Sequence, residues 1–360
     1  MEVMMDKRPE WAAHVRRVTP YVPGEQPNDT DMIKLNTNEN PYPPSPAVFE
    51  ACRNLDPAVF SLYPELSAGS LARSLAAYHG ISEREVFVGV GSDDVLSLAF
   101  LTFFNAEKPI LFPDITYSFY PVWAEVYRIP FECMAVRPDF TIDPADYHRE
   151  NGGVVIANPN APTSIGMTVS QIEEVIRANP GVVVIIDEAY VDFGGETVLP
   201  LISKYDNLLV VRTYSKSRSL AGMRIGYAMG NENLIQALND VKESINSYTI
   251  NTASIHMGIA SLGDEQYFQE NLQKVMGTRE RVKEALCGMG FDVKQSQTNF
   301  LFASHHTVPA REIFEKLKQR HIYVRYFSKK RIENYLRITV GTEEQMDRFL
   351  EAVREITGTF

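Results

Sequence analysis

Lys216 lies in LLVVRTYSKSRSLAGMRIGYA (Leu208–Ala228), just past an apolar β-branched run, with Thr213 and Ser215 before it and Gly222, Arg224 and Gly226 after it. Two hydroxyls, a guanidinium and permissive glycines suit a phosphate, and a lysine among them is a candidate reactive amine. A lysine after a strand, taken alone, is as well read as a solvated loop residue. Upstream, VVVIIDEAY (Val182–Tyr190) ends a second apolar run in Asp187 and Glu188. A carboxylate at the carboxyl edge of an open α/β sheet faces the site, where it can pair with a cationic ring nitrogen. Two other readings stand beside that one: Asp187 caps the next turn while Glu188 points to solvent, or the pair binds Mg²⁺ as a Walker-B-like acid. The chain contains no GxxxxGK[ST] loop, which argues against nucleotide hydrolysis.

The segment FVGVGSDD (Phe87–Asp94) places two glycines between a strand and a helix, where free N–H groups and the helix dipole receive a phosphate. It half resembles a dinucleotide fingerprint. Asp94 stands where a third glycine belongs, although Asp114 is near the position of the expected acidic residue. The seven histidines show no HxxxH or HExxH spacing, and His305–His306 reads as an isolated loop pair, so no metal is expected. Cys52, Cys133 and Cys287 lie far apart and read as neutral thiols.

These residues need elements to hold them. Short β-branched runs recur at Val86–Val90, Ile110–Phe112, Val154–Ala157, Val182–Ile186, Leu208–Val211 and Ile225–Ala228. Nearly continuous apolar strands of this kind predict a mostly parallel sheet buried on both faces. Helices are expected at Asp93–Phe104, apolar almost all round and hence buried, and at Ser170–Ala178, Glu232–Glu243 and Gln266–Leu286. After about Ser247 a long charged helix leads to Phe291–Thr298, Phe300–Ala303, a helix at Ala310–Gln319, Ile322–Val324 and Tyr335–Thr339, the pattern of a smaller α+β domain with an antiparallel sheet. The expectation is a large three-layer α/β/α domain over residues 36–246 and a small domain from 1–35 and 247–360. NENPYPPSP (Asn38–Pro46) is too proline-rich for regular structure and reads as an extended arm or domain crossing.

With 360 residues and 44% hydrophobic content the chain can bury two domain cores. A net charge of −11 argues against nucleic acid as a partner, while leaving room for a local basic pocket. The charged segment Met1–Trp11 lacks a signal-peptide run and no segment is long and apolar enough to span a membrane, so a cytoplasmic enzyme is expected.

The motifs NPNAPTS, DEAY and SKSRSLAGMR, in this order and spacing, resemble the fold-type-I aminotransferases, and within their class II the histidinol-phosphate aminotransferase family. The likeness runs from TPY (Thr19–Tyr21) and LNTNENP (Leu35–Pro41) through YPE (Tyr63–Glu65) and PDITYSFY (Pro113–Tyr120) to TNF (Thr298–Phe300) and LRITVGT (Leu336–Thr342). It implies the fold-type-I pyridoxal-phosphate transferase architecture. It further implies that Lys216 carries pyridoxal 5′-phosphate as a Schiff base and shuttles a proton between the substrate Cα and C4′ of the cofactor. Asp187 would keep the pyridinium nitrogen protonated, Tyr190 would hydrogen-bond the phenolic oxygen, and Tyr117 would stack on the ring. Ser92, Asp93, Ser215 and Arg224 would hold the phosphate, joined by Tyr63 of a neighbouring subunit in a homodimer.

Arg337 matches the family arginine that forks a substrate carboxylate, with Asn36 and Asn299 near it. The implied reaction transfers an amino group from L-histidinol phosphate to 2-oxoglutarate, giving imidazole-acetol phosphate and L-glutamate. One site must then take a carboxylate in one half-reaction and a phosphate in the other, and Arg325 and Arg337 are the candidates. Tyr21 is placed against the imidazole or in packing. An aromatic amino-acid aminotransferase and a threonine-phosphate decarboxylase are the rival readings, and a binding protein that has lost catalysis is a third class. The family's NNPTG is NAPTS here: Ala161 replaces the asparagine that bonds the phenolic oxygen, with Asn160 or Asn158 as substitutes, and Ser164 replaces glycine.

Overall fold

The computed structural model describes residues 10–21, 24–25 and 31–358. Residues 1–9, which carry most of the N-terminal segment read for a signal peptide, lie outside that range. Among the described residues no helix is long and apolar enough to cross a membrane.

The first strand, β1 (Ile33–Leu35), belongs to a small sheet formed mostly by the end of the chain. Between these parts run α1 (Pro46–Arg53), α2 (Gly69–His79), β2 (Val86–Gly89), α3 (Gly91–Phe103), β3 (Ile110–Pro113), α4 (Phe119–Tyr127), β4 (Phe131–Met134) and β5 (Gly153–Ala157). They continue with α5 (Val169–Ala178), β6 (Val184–Asp187), β7 (Leu208–Thr213), β8 (Gly226–Gly230), α6 (Glu232–Ile245) and α7 (Thr252–Leu262). These strands form a seven-stranded sheet in the order β2-β8-β7-β6-β5-β3-β4, parallel except for β8, which runs against both neighbours.

Side-chain alternation divides this sheet between two helical layers. Val184 and Ile186 of β6 share a core with Leu71 and Leu75 of α2, Ile172 of α5 and Ile255 of α7. Ile185, together with Val155 and Leu209, packs instead with Val95 and Phe100 of α3, Trp123 of α4 and Leu238 of α6. The runs are apolar throughout because both faces are covered, which is the expected α/β/α arrangement.

The long α8 (Glu265–Gly288) leads into β9 (Phe291–Val293), β10 (Phe300–His305), α9 (Ala310–Lys318), β11 (Ile322–Tyr326), β12 (Leu336–Thr339) and α10 (Glu343–Thr357). The small sheet runs β1-β11-β12-β10-β9 and is antiparallel except for the β1–β11 pair. Val282 and Leu286 of α8, Ile313 of α9 and Phe349 of α10 bury its inner positions.

Several expectations change. The edge strand β4 and the parallel partner β1 carry no long apolar run and were not anticipated, nor were α1, α2, α4, α7 and α10. Within Phe291–Thr298 the strand ends at Val293, and beyond Lys294 the side chains of Ser296 and Thr298 bond to one another and to the Phe300 carbonyl. His305 ends β10 rather than lying in a loop. A division at 247 comes too early: Ile255, Met257 and Leu262 of α7 join the core under the large sheet. The proline-rich crossing is irregular up to Ser45, and Pro46 opens α1, where a missing N–H costs nothing.

Candidate active site

The alternation along β6 decides the fate of its two acids. Asp187 follows Ile185 onto the α3/α4 side of the sheet, where it is buried and lines a cavity with Ser92, Tyr117, Tyr190, Lys216 and Arg224. Its carboxylate accepts from Tyr120 Oη at 2.9 Å and from the Ala189 N–H at 3.1 Å, so it also caps the turn. Burial pushes its carboxyl up to about 6 against those two hydrogen bonds, with Asp93 and Glu188 adding to the rise. Glu188 goes elsewhere. It is buried, neither in solvent nor in the cavity, and binds Arg212 at 2.8 Å, Thr197 Oγ1 at 2.8 Å and the Val198 N–H at 2.7 Å.

The same cavity is lined by the N-terminus of α3, at Ser92 and Asp93, whose first N–H groups lack intrahelical partners. Gly91 has φ +83, and a Cβ there would meet the Arg224 guanidinium at 2.4 Å; a Cβ on Gly226 would meet the Gly91 carbonyl carbon at 2.2 Å. Two glycines thus bring β8 and Arg224 against the helix end. Arg224 lies 3.5 Å from both the Asp93 carboxylate and Ser215 Oγ. Thr213 Oγ1 donates to Ser215 Oγ at 3.0 Å and receives the Ser215 N–H. A helix dipole, a guanidinium and hydroxyls form an anion cradle.

Lys216 stands between this cavity and a second pocket and lines both. Its Nζ is 3.2 Å from the Thr37 carbonyl and 5.8 Å from the centre of the Tyr190 ring. Tyr117 also lines both; its hydroxyl donates to Asp93 at 2.8 Å, and burial followed by the Asp93 charge raises its phenol well above the usual range.

The second pocket holds Tyr21, Asn36, Arg325 and Arg337. Arg325 and Arg337 are direct partners across β11 and β12, and like charges placed opposite one another are unfavourable unless an anion joins them. Arg337 donates through Nη2 to the Asn36 carbonyl at 2.8 Å, while its buried Nε has no partner. Burial lowers its proton affinity, and Arg325 lowers it further. Asn36 Oδ1 and Asn299 Oδ1 are likewise buried and unpartnered. Tyr21 stacks on Phe119 with ring centres 4.1 Å apart.

Three expected residues do not line either pocket: Asn299, whose amide nitrogen donates to the Asn38 carbonyl at 3.0 Å, Tyr63 and Asn160. Tyr63 is 82% exposed, lines neither pocket, and stacks on Tyr248 at 4.7 Å. Asn160 spends its amide on Thr116 Oγ1, the Ile115 carbonyl and Thr163 Oγ1, and Asn158 spends its own on the backbone of Met167. Neither substitutes for an asparagine at Ala161. Ser164 adopts φ 68, the conformation for which glycine is suited. Sequence reasoning missed Tyr120, which grips Asp187, and Asn38, whose amide donates to Tyr190 Oη at 2.9 Å; both lie inside the motifs PDITYSFY and LNTNENP. Phe327, on the pocket wall, gave no signal.

The donor set of the cavity suits a small aromatic group that bears a phosphate and a ring nitrogen. The anion cradle has no room for a Cβ at Gly91 or Gly226, and the buried carboxylate lines the same cavity. Among the described residues no cluster of histidine, cysteine or acidic side chains could hold a metal.

Comparison with known proteins agrees with this geometry. The family model for aminotransferase class I and II matches residues 30–353. The histidinol-phosphate aminotransferase of Lactococcus lactis subsp. lactis is 50% identical over 344 residues, covering 96% of each chain. That of Clostridium acetobutylicum is 49% identical over 345 residues, covering 96% of this chain and 98% of the relative. The crystal structure of the Sinorhizobium meliloti histidinol-phosphate aminotransferase in complex with pyridoxal 5′-phosphate shares the fold, with a TM-score of 0.83 at 22% identity and 91% of each chain covered.

Proposed function

The chain belongs to the class I and II aminotransferases, and from that premise we propose that it transfers the amino group of L-histidinol phosphate to 2-oxoglutarate in histidine biosynthesis, using pyridoxal 5′-phosphate. The observation that carries the substrate assignment is the pair Arg325 and Arg337, set opposite one another on adjoining strands in the pocket that Lys216 also lines. A site that alternates between a carboxylate and a phosphate needs guanidinium groups whose hydrogens are not committed, and Arg337 Nε is one.

When bound, pyridoxal phosphate supplies an electron sink for the Cα–H bond of the substrate and stores the amino group between half-reactions. The α3 N-terminus at Ser92 and Asp93, with Ser215 and Arg224, would hold its phosphate. Asp187 would face the ring nitrogen, and a cation there draws a buried carboxyl back into its charged form. Tyr117 would cover the ring and Tyr190 would donate to its phenolic oxygen. Lys216 Nζ would hold the cofactor at rest and, once released, move the proton between the substrate Cα and C4′. Arg325 and Arg337 would orient the anionic end, Asn36 would offer its unpartnered oxygen beside it, and Tyr21 would pack on the imidazole.

A homodimer follows from the same reading. Tyr63, Phe60, Leu62, Leu66, Ile245 and Tyr248 are large and exposed around the Tyr63–Tyr248 stack, a surface suited to a second copy. In that arrangement Tyr63 would complete the partner's phosphate cup.

The test is a single-turnover absorbance measurement on the cofactor-loaded protein with histidinol phosphate, phenylalanine and threonine phosphate, with CO₂ release followed in parallel. Histidinol phosphate should give the largest conversion, and Lys216→Ala should abolish the lysine-linked visible band. No spectral response to histidinol phosphate refutes the substrate; a response led by phenylalanine, or CO₂ from threonine phosphate, assigns one of the rival activities.

A further inference from the structure

We infer that Asn38 is a positioning residue that turns the Tyr190 hydroxyl hydrogen into the cofactor cavity, supplying indirectly the polar contact that Ala161 cannot make. The inference rests on the aminotransferase reading and concerns the residues that face the cofactor's phenolic oxygen.

Ala161 lines both the cavity and the pocket, and its methyl group offers no donor. The neighbouring asparagines are committed, as described above, to the Ile115, Thr163 and Met167 contacts. Tyr190 is then the hydroxyl donor on this wall, and its single hydrogen is useful only if it points inward. A hydroxyl that accepts a hydrogen bond from one side is free to donate on another.

The direction of the Asn38 amide is settled by its own contacts. The Asn38 N–H donates to Thr339 Oγ1 at 3.0 Å, so the threonine hydrogen turns elsewhere, and Asn38 Oδ1 lies 3.0 Å away to receive it. With the amide oxygen on Thr339, the nitrogen faces Tyr190 Oη at 2.9 Å. An amide nitrogen does not accept, so Tyr190 accepts and keeps its hydrogen for the cavity. Among the described residues no protein acceptor is hydrogen-bonded to that hydroxyl.

The backbone holds the amide in place. Asn38 has φ 57, a conformation asparagine tolerates better than most residues, and its carbonyl accepts from Asn299 Nδ2 at 3.0 Å. Phe300 meets the Tyr190 ring edge-on at 5.1 Å. Thr339 shares a face of β12 with Arg337, two residues away, so one strand carries both the anion grip and the group that orients the amide.

The experiment measures the pH midpoint of the visible absorption of the cofactor-loaded enzyme in wild type, Asn38→Gly, Tyr190→Phe and the double variant. Glycine accepts the positive φ and removes only the side chain. A hydrogen bond to the phenolic oxygen favours its charged form and weakens proton binding at the adjoining nitrogen, so losing it moves the midpoint up, by about one pH unit. Asn38→Gly should show this shift and bind pyridoxal phosphate several-fold more weakly, and in the Tyr190→Phe background it should add nothing further. A shift of equal size in both backgrounds, or none in either, overturns the inference. Thr339→Val leaves residue 38 intact and frees the amide to flip; it should shift the midpoint the same way by less, and no shift there also counts against the inference. Wild-type protein that takes up no pyridoxal phosphate would sink the aminotransferase reading itself, whereas coloured wild type with unmoved variants sinks the role of Asn38 alone.

Discussion

The cavity around Asp187 and the pocket around Arg325 and Arg337 share Lys216, Tyr117, Tyr190 and Ala161, yet they are built differently. The cavity belongs to one sheet: its acid comes from the end of β6, Ser215 from just past β7, Arg224 from just before β8, and the anion cradle from α3. Its charges are balanced, with Asp93 and Asp187 among Lys216 and Arg224. The pocket draws on Tyr21, the crossing at 36–38, the turn at 116–118 and two strands of the small sheet. Among the described residues that line it there are three cations, Lys216, Arg325 and Arg337, and no carboxylate. The first region combines acids and cations around one cavity, while the described lining of the second is cationic and suits an anion.

The largest expected effect separates the two. Arg337→Ala removes a buried guanidinium whose Nε has no protein partner, so it should lower kcat/KM for both anionic substrates by about 100-fold, as loss of charged hydrogen bonds does. The dissociation constant for pyridoxal phosphate, from absorbance titration, should change by less than about twofold. If cofactor affinity falls as far as kcat/KM, the two regions are one energetic unit and the comparison fails.

A second test addresses the cavity alone. In cofactor-free protein Asp187 is pushed up to about 6, above its unfolded value near 4. Between those values the folded state binds the extra proton, so this group's contribution is most favourable below pH 4 and is lost as pH rises to 6. Asp187→Asn should therefore flatten that part of the melting-temperature profile and stabilise cofactor-free protein at pH 7 by roughly 1–3 kcal/mol. Cofactor-loaded protein should respond oppositely, because the ring nitrogen then loses its counter-charge. Parallel profiles for wild type and variant would show that Asp187 feels no such burial.

The same contrast explains how much was legible. Lys216, Asp187, Ser215 and Arg224 were readable because each adjoins an apolar strand, Asp187 ending β6, Ser215 and Lys216 following β7 and Arg224 preceding β8. The large sheet followed from the same runs. Asn160 misled because adjacency in sequence does not say which way an amide points, and both of its amide hydrogens are spent on the Ile115 carbonyl and Thr163 Oγ1. Asn38, Tyr120 and Phe327 act across large separations in sequence, as in the contact between Asn38 and Tyr190, and only folding brings such partners together. The edge strands β1 and β4 are short and mixed in character, so no periodicity announced them.

The smallest expected effect lies on the pocket's aromatic wall. Tyr21 is held by stacking on Phe119 at 4.1 Å, and Phe119 stacks in turn on Trp123 at 5.1 Å. Phe119 does not line the pocket, so Phe119→Leu should loosen Tyr21 without touching substrate. An aromatic pair contributes about 0.5–1.5 kcal/mol beyond its buried area, which predicts a roughly 2- to 10-fold rise in KM for a ring-bearing donor. Glutamate, which has no ring to place, should keep its KM. Tyr117 also neighbours Phe119, but its hydroxyl is anchored on Asp93, so cofactor affinity should hold. An equal loss with both donors would mean that the wall shapes the whole pocket; a selective loss would assign the ring to Tyr21 and leave the anion to the arginines.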